Sequence, residues 1–338
     1  MTKRSELIRD KPTPCAARFW TAALLLLGLP FAAFASFTEP PNGARPLGMG
    51  SAFTAVADDA NAALYNPAGG AEGSFHLAFT RAAYFSGPVS PLVAHDAALL
   101  AAPLAGGTLN AGASTLSDAN GVYRETALLL GYARRVAQGL NAGFLLKRLQ
   151  TGVDSSLPDV AQNPYFEEKT SASAFTVDVG LLAEPADGWT IGLAGQNIVP
   201  ADLSFREAQD EESDRAPSIA RIGTALQLSA IAEFAEQEAV QKMLGRSLIA
   251  IDAAFGDGTA VGAGAEVGFS NAVAARVGYR YDAGNGRLAA AGAGSVTAGA
   301  TIAFHFGTAV ASVDYAVAFS NNELEDSASQ RVSLRARF

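Results

Sequence analysis

Charged residues in the later part of this chain stand singly beside apolar ones. Asp178, Arg221, Asp252, Glu266, Arg276, Arg280, Asp314, Arg331 and Arg335 all sit this way. The last eight residues, RVSLRARF, show the pattern best. Val332, Leu334, Ala336 and Phe338 form one set in steps of two, and Arg331, Ser333, Arg335 and Arg337 form the other. That is a β-strand with one apolar and one cationic face. Acids and bases gathered on one face of many strands would share an interior. There they must pair, because an isolated buried charge is costly. The chemistry is then ion pairing. A mixed network is expected, structural in role, with a gate as the sharper alternative. Lys147, His305 and Arg337 fall on the same face.

No arrangement for catalysis competes with this reading. His76, His95 and His305 are the only histidines, and none has metal-ligand spacing. GxSxG, P-loop and CxxC motifs are absent. Neither enzymatic activity nor a cofactor or metal is expected.

The elements that position these charges are strands. Fourteen are expected, near 73–84, 92–103, 107–116, 121–135, 139–151, 170–184, 188–197, 217–229, 245–255, 259–269, 272–281, 294–306, 308–319 and 328–338. The strand near 272–281 sets Val273, Ala275, Val277, Tyr279 and Tyr281 against Ala274, Arg276, Gly278 and Arg280. Those near 170–184 and 308–319 divide similarly, whereas 91–104 alternates poorly. Tight turns near 104–106, 136–138, 185–187, 270–271 and 306–307 should lie at one end. Long loops near 152–169 and 198–216 should lie at the other, the second with a solvated acidic run, Asp210-Glu211-Glu212 and Asp214. One turn-end connection breaks this rhythm. AIAEFAEQEAVQKML, Ala230 to Leu244, has the composition of a short helix. Aromatics fall in two belts: Tyr84, Phe175, Phe255, Tyr281 and Phe319 at the loop end, and Trp189, Phe269, Phe306 and Phe338 at the turn end. Lipid headgroup boundaries favour such belts.

The chain start points to export. Lys3, Arg4, Arg9, Lys11 and Arg18 precede an apolar core from Phe19 to Ala33, and Ala33-Phe34-Ala35 forms a small-x-small cleavage site. Removal of residues 1–35 would leave 303 residues and shift the net charge from −9 to −12, by loss of five basic and two acidic groups. Cys15, the only cysteine, would go too. An acidic chain without basic runs excludes a nucleic-acid binder. Hydrophobic residues make up 49 %, yet no run after Ser36 reaches the length of a membrane helix. An all-β, fourteen-stranded antiparallel transmembrane barrel accounts for all of this, with outer-membrane lipid around it.

Before the first strand lies an irregular block, Gly43 to Gly70. Asp58 is a plausible N-cap for a short helix from Asp59 to Tyr65, which Pro67 would end. Gly43-Ala44-Arg45, Gly48-Met49-Gly50, Ala57-Asp58-Asp59-Ala60 and Asn66-Pro67-Ala68-Gly69 together resemble the N-terminal segment of the FadL/PorV superfamily. Weaker strand motifs extend the resemblance over most of the mature chain: Gly131-Tyr132, Asp178-x-Gly180 with Gln196-Asn197, Arg221-x-Gly223 and Arg276-x-Gly278-Tyr279. The resemblance implies a hatch over 36–71 inside a barrel over 72–338. Gly43, Arg45, Gly48, Gly50, Asp58, Asp59, Asn66 and Pro67 would belong to that hatch, plugging the lumen or touching a ligand. Asp58 and Asp59 also invite comparison with a cation site, but capping and solvation explain them better. The implied function is passage of small hydrophobic molecules across the bacterial outer membrane by a hatch-gated route. The alternative, favoured by the short chain, is a PorV/PorQ-like protein that docks secreted or surface proteins. Both termini would face the periplasm, with Phe338 read by the barrel-assembly machinery.

Overall fold

Strand β14 (Ser329–Arg337) pairs with β13 (Ala309–Ser320) on one side and with β1 (His76–Tyr84) on the other. That double pairing closes the sheet into a barrel in the computed structural model, leaving no edge. Between them run β2 (Val93–Leu104), β3 (Gly107–Asp118), β4 (Tyr123–Ala137), β5 (Leu140–Val153), β6 (Ser171–Ala186), β7 (Trp189–Gln196), β8 (Ile219–Gln227), β9 (Leu248–Phe255), β10 (Gly258–Gly268), β11 (Val273–Gly284) and β12 (Ala293–Phe306). Fourteen antiparallel strands are therefore present among the described residues. Those residues are 37, 43–70, 75–84, 93–163, 166–205, 214–256, 258–284, 293–320 and 329–338. The expected leader and the acidic run at 210–212 lie outside them.

The alternation expected for the later strands is present. Val332 and Leu334 are exposed on the outer face, while Arg331 and Ser333 are buried inside. Val313, Tyr315 and Phe319 likewise face out and Asp314 faces in. No helix among the described residues is long and apolar enough to cross a membrane. The outward strand faces instead carry the exposed apolar surface, the mark of a barrel surrounded by lipid.

Two-residue connections at 105–106, 138–139, 187–188 and 307–308 mark one end, here the turn end. Phe175, Tyr281 and Phe319 are exposed near the loop end, and Trp189, Phe269, Phe306 and Phe338 near the turn end. Tyr84 departs from the expected belt. It points inward, with the Arg331 guanidinium 5.7 Å over its ring, because a buried cation gains more from an aromatic face than lipid gains from one hydroxyl. Phe255 is only half-exposed.

Five short helices complete the described residues: α1 (Ala44–Gly48), α2 (Ala62–Tyr65), α3 (Pro158–Ala161), α4 (Ser229–Ala232) and α5 (Glu238–Leu244). The single helix expected over 230–244 is two, broken at 233–237. Neither buries a residue, so no packed face holds them as one.

Candidate functional site: a divided barrel interior

Residues 43–70 occupy the barrel interior, and nearly all are buried. Their backbone lies directly on the wall, which is possible only where the wall lacks side chains. A Cβ at Gly192 would sit 2.2 Å from the Thr54 carbonyl oxygen, and one at Gly180 would sit 2.1 Å from the Asn66 side-chain oxygen. Gly50 has φ +63°, and a Cβ there would sit 2.5 Å from the Tyr279 carbonyl oxygen, so both its conformation and its space require glycine. Gly43 is enclosed by Asn61 and Pro46, Gly48 abuts Arg276 and Gly299, and the Pro67 carbonyl lies against Gly143.

The helix expected from Asp59 to Tyr65 is shorter. It is α2, its N-cap is Asn61, and no side chain caps it. Asp58 and Asp59 are therefore neither a cap nor simply solvated. Both bond to Arg45, which sits on α1, a helix the sequence did not reveal because it contains Pro46. Metal-binding clusters of acids or histidines are absent among the described residues.

Arg45 is the hub of the charged half of the interior. Its Nε donates to Glu266 Oε2 at 2.8 Å and its Nη1 to Asp59 Oδ2 at 3.0 Å. Arg276 Nε donates to the same Glu266 oxygen at 2.5 Å and Arg276 Nη1 to Asp314 at 3.3 Å. Arg335 closes the circuit, donating to Asp314 Oδ2 at 2.6 Å and to Asp59 Oδ2 at 3.1 Å. Thr301 donates to Asp314 as well. The network ties the inner segment to β10, β11, β13 and β14. Burial alone would raise the Asp59 carboxyl, but the Arg45 and Arg335 guanidiniums overcome it and lower its pKa to about 2.

The other charges form smaller units. Lys147 pairs with Asp178 at 2.7 Å, and Asp178 Oδ1 also accepts from Asn197 N. Asp252 Oδ2 accepts from the backbone N–H groups of Phe53 and Thr54 at 2.9 and 2.7 Å, docking the segment without a cation. Arg221 donates to Gln196 Oε1 and lies 5.5 Å over the Tyr65 ring. Arg280 pairs with its strand neighbour Asp282, and Arg331 donates to the Tyr84 hydroxyl. His305 and Arg337 are exposed at the turn end. Phe338 is exposed there too, its ring edge-on to Phe75 at 5.9 Å.

The opposite half of the wall is richer in apolar side chains, with Glu125 of β4 and Lys147 of β5 buried among them. Ala97, Leu99 and Ala101 of β2, Ala127 and Leu129 of β4, and Leu145 and Leu149 of β5 face inward and are buried. Ala60 and Ala63 of the inner segment pack on them, as does Phe37. Toward the loop end the connection after β7 folds over this surface. Leu203 N donates to Asp214 O and Ala216 N to Ala201 O, forming a small hairpin that presses Ala201, Leu203 and Ala216 onto the cluster. The sequence suggested a solvated loop with an acidic run there; its described part packs on the wall instead. At the turn end an open cleft of about 510 Å³ is lined by Ala68, Gly69, Gly70, Leu104, Thr108 and Asn141 among others.

Residues 71–242, about half of the 338, match the family model described as "F plasmid transfer operon, TraF, protein". The chain belongs to this family. In this TraF-family chain the match runs from just before β1 into α5, so the inner segment and the last six strands lie beyond it. No curated protein matches the sequence. Among solved structures, the Pseudomonas aeruginosa FadL homologue aligns with TM-score 0.57 and 13 % identity, over 90 % of this chain and 99 % of its own. The Pseudomonas putida toluene transporter TodX gives 0.56 and 12 %, over 88 % and 98 %. The monoaromatic hydrocarbon channel CymD gives 0.57 and 15 %, over 90 % and 98 %. At such identities the likeness is one of fold: the TraF-family chain has the FadL-like barrel.

Proposed function

We propose that this TraF-family barrel lies in the bacterial outer membrane and passes small hydrophobic molecules across it, with residues 43–70 as a movable hatch. The apolar inner half-wall carries the reading. A purely structural barrel interior gains most from polar groups that bond one another, and the β9–β14 half has them. Apolar side chains on β2, β4 and β5 give a hydrophobic solute a surface to follow. A solute would pass beneath the hairpin that carries Leu203 and Ala216, lodge against Leu99, Leu129 and Leu145, and leave past Gly70 once α2 shifts. Diffusion down a gradient needs no cofactor. The names of TodX and CymD support the solute class. Both termini would face the periplasm, and Phe338 would be read by the assembly machinery.

Uptake of labelled toluene by outer-membrane-intact cells tests this. Cells carrying the barrel should take up toluene several-fold faster than barrel-free cells, and Leu145→Asp should abolish the gain. Equal rates would overturn the reading. A second reading, PorV/PorQ-like docking of a secreted protein, is favoured by α4 and α5. These lie at the turn end with Phe234 79 % exposed between them. Under that reading Phe234→Ser would remove partner capture and leave toluene uptake at the barrel-free level throughout.

A further inference from the structure

Asn110 projects inward from β3 and is fully buried, yet neither its amide nitrogen nor its amide oxygen has a hydrogen-bond partner. Other buried side-chain amides of the interior place their nitrogens well. Asn66 Nδ2 donates to Thr54 O and Leu181 O, Asn61 Nδ2 to Asp59, Asn197 Nδ2 to Pro217 O and Gln196 Nε2 to Leu64 O. Among the buried side-chain amides of the described residues, Asn110 alone has both amide atoms unpartnered. Buried polar groups in folded proteins are bonded in the great majority, so each exception calls for a partner or a role.

Its place in the wall explains what that function is. Across the sheet Asn110 is opposite Ala101 of β2 and Gly131 of β4. Ala101 belongs to the apolar cluster, and Leu145 of the same cluster lies over Gly131. On the turn side, a Cβ at Gly70 would meet Asn110 Oδ1 at 3.3 Å, and Thr108, two residues along the same face, lines the cleft. Asn110 thus stands at the junction between the apolar half-wall and the cleft below it. On the transport reading, a solute moving from one to the other would pass the amide.

We infer that Asn110 is a specificity-determining residue that selects small apolar molecules carrying one hydroxyl or carbonyl group. This rests on the transport reading above. Oδ1 accepts from a hydroxyl and Nδ2 donates to a hydroxyl or carbonyl oxygen, so the solute satisfies a group the fold leaves unbonded. A plain hydrocarbon of the same shape gives the amide nothing. Sites that hydrogen-bond a ligand hydroxyl discriminate strongly against the analogue without it.

The test compares p-cresol with toluene, which differ by one hydroxyl, in cells carrying wild type, Asn110→Leu or Asn110→Ser. Heat-modifiable gel mobility verifies barrel assembly in each. Asn110→Leu should assemble normally, since it removes an unbonded buried amide. Its p-cresol to toluene uptake ratio should fall about tenfold, and Asn110→Ser, which keeps a hydroxyl, should retain most of the preference. An unchanged ratio with both solutes still taken up faster than in barrel-free cells overturns the role of Asn110 and leaves the transport reading standing. Failure of wild type to speed either solute overturns both.

Discussion

Replacing Arg45 by methionine should loosen the inner segment while leaving the barrel intact. Methionine keeps most of the side-chain volume and removes the charge. Three carboxylates lose a partner. The Asp58 side chain is 48 % exposed and water replaces much of its bond, so its share is discounted. Asp59 and Glu266 are only 4 % and 12 % exposed. Each retains one guanidinium, Arg335 for Asp59 and Arg276 for Glu266. Breaking a buried pair outright costs about 3–5 kcal/mol. With the second partners in place the loss should be near the lower bound, about 3 kcal/mol. That multiplies the displaced population by roughly 150, at a factor of ten per 1.4 kcal/mol. Cys15 is the only cysteine, so Cys15→Ser with Ala52→Cys provides one buried reporter. Its reaction with a maleimide should be slow in the parent and rise roughly a hundredfold with Arg45→Met, at unchanged heat-modifiable mobility. Adding Glu266→Gln should recover part of the loss by removing a carboxylate left with excess charge. Equal labelling rates in parent and Arg45→Met would refute the idea that Arg45 anchors the segment.

The same reporter should respond to acid. Asp59 has a depressed pKa, about 2 against an ordinary 3.8, so its contribution is fully present above the ordinary value and lost as pH falls toward 2. Labelling with a pH-tolerant thiol disulfide should be flat from neutral pH down to about 5 and accelerate only below about 4. Gly264→Val should also displace the segment, because its Cβ would lie 2.4 Å from the Met49 carbonyl oxygen. Overpacking of this kind costs about 1–3 kcal/mol, and accelerated labelling with normal barrel mobility is the expected result. Leu334→Arg puts a charge on the lipid face and should lower barrel stability by about 2–4 kcal/mol in a urea titration in bilayers. Leu334→Phe should be nearly neutral there.

Much of the barrel was legible because its later strands face two solvents. Where lipid lies outside and ion pairs lie inside, alternation is visible in the residue types, as in Val313, Asp314 and Tyr315. In β2 it fails for a physical reason. Ala97, Leu99 and Ala101 face inward onto an apolar cluster while Leu100 faces lipid, so both faces carry the same residue types. The poor alternation of 91–104 was itself the sign of an apolar lumen wall. Tyr84 was misplaced because its partner, Arg331, is far along the chain, and only closure of β1 on β14 brings them together. Arg45 as a hub was hidden for the same reason: Glu266 lies 221 residues away. The hairpin over the apolar cluster was missed because Ala201, Leu203 and Ala216 are scattered singly in a polar stretch.

The division of the interior also decides which part of the inner segment yields first. The α1 side is held by charge-assisted bonds to Glu266 and, through Asp59, to Arg335. Its backbone is fixed further by Ser333 and Thr297, which accept from the N–H groups of Ala44 and Gly50. The α2 side has no ion pair: it is held by Gln196 Nε2 to Leu64 O at 2.7 Å, Asn66 Nδ2 to Leu181 O at 3.0 Å and the Arg221 guanidinium over the Tyr65 ring. A neutral bond contributes about 1 kcal/mol net, and one to a charged group about 1.5–3 kcal/mol. Displacement therefore costs least at α2, which is the part packed against the apolar wall and nearest Asn110 and the cleft. On the proposed transport reading, the charged half would serve as a fixed anchor and the segment would swing on it without breaking the Arg45, Arg276 and Arg335 ion pairs. Such opening on the apolar side alone would leave the ion pairs of Arg45, Arg276 and Arg335 in place, which a wholesale ejection of the segment could not do.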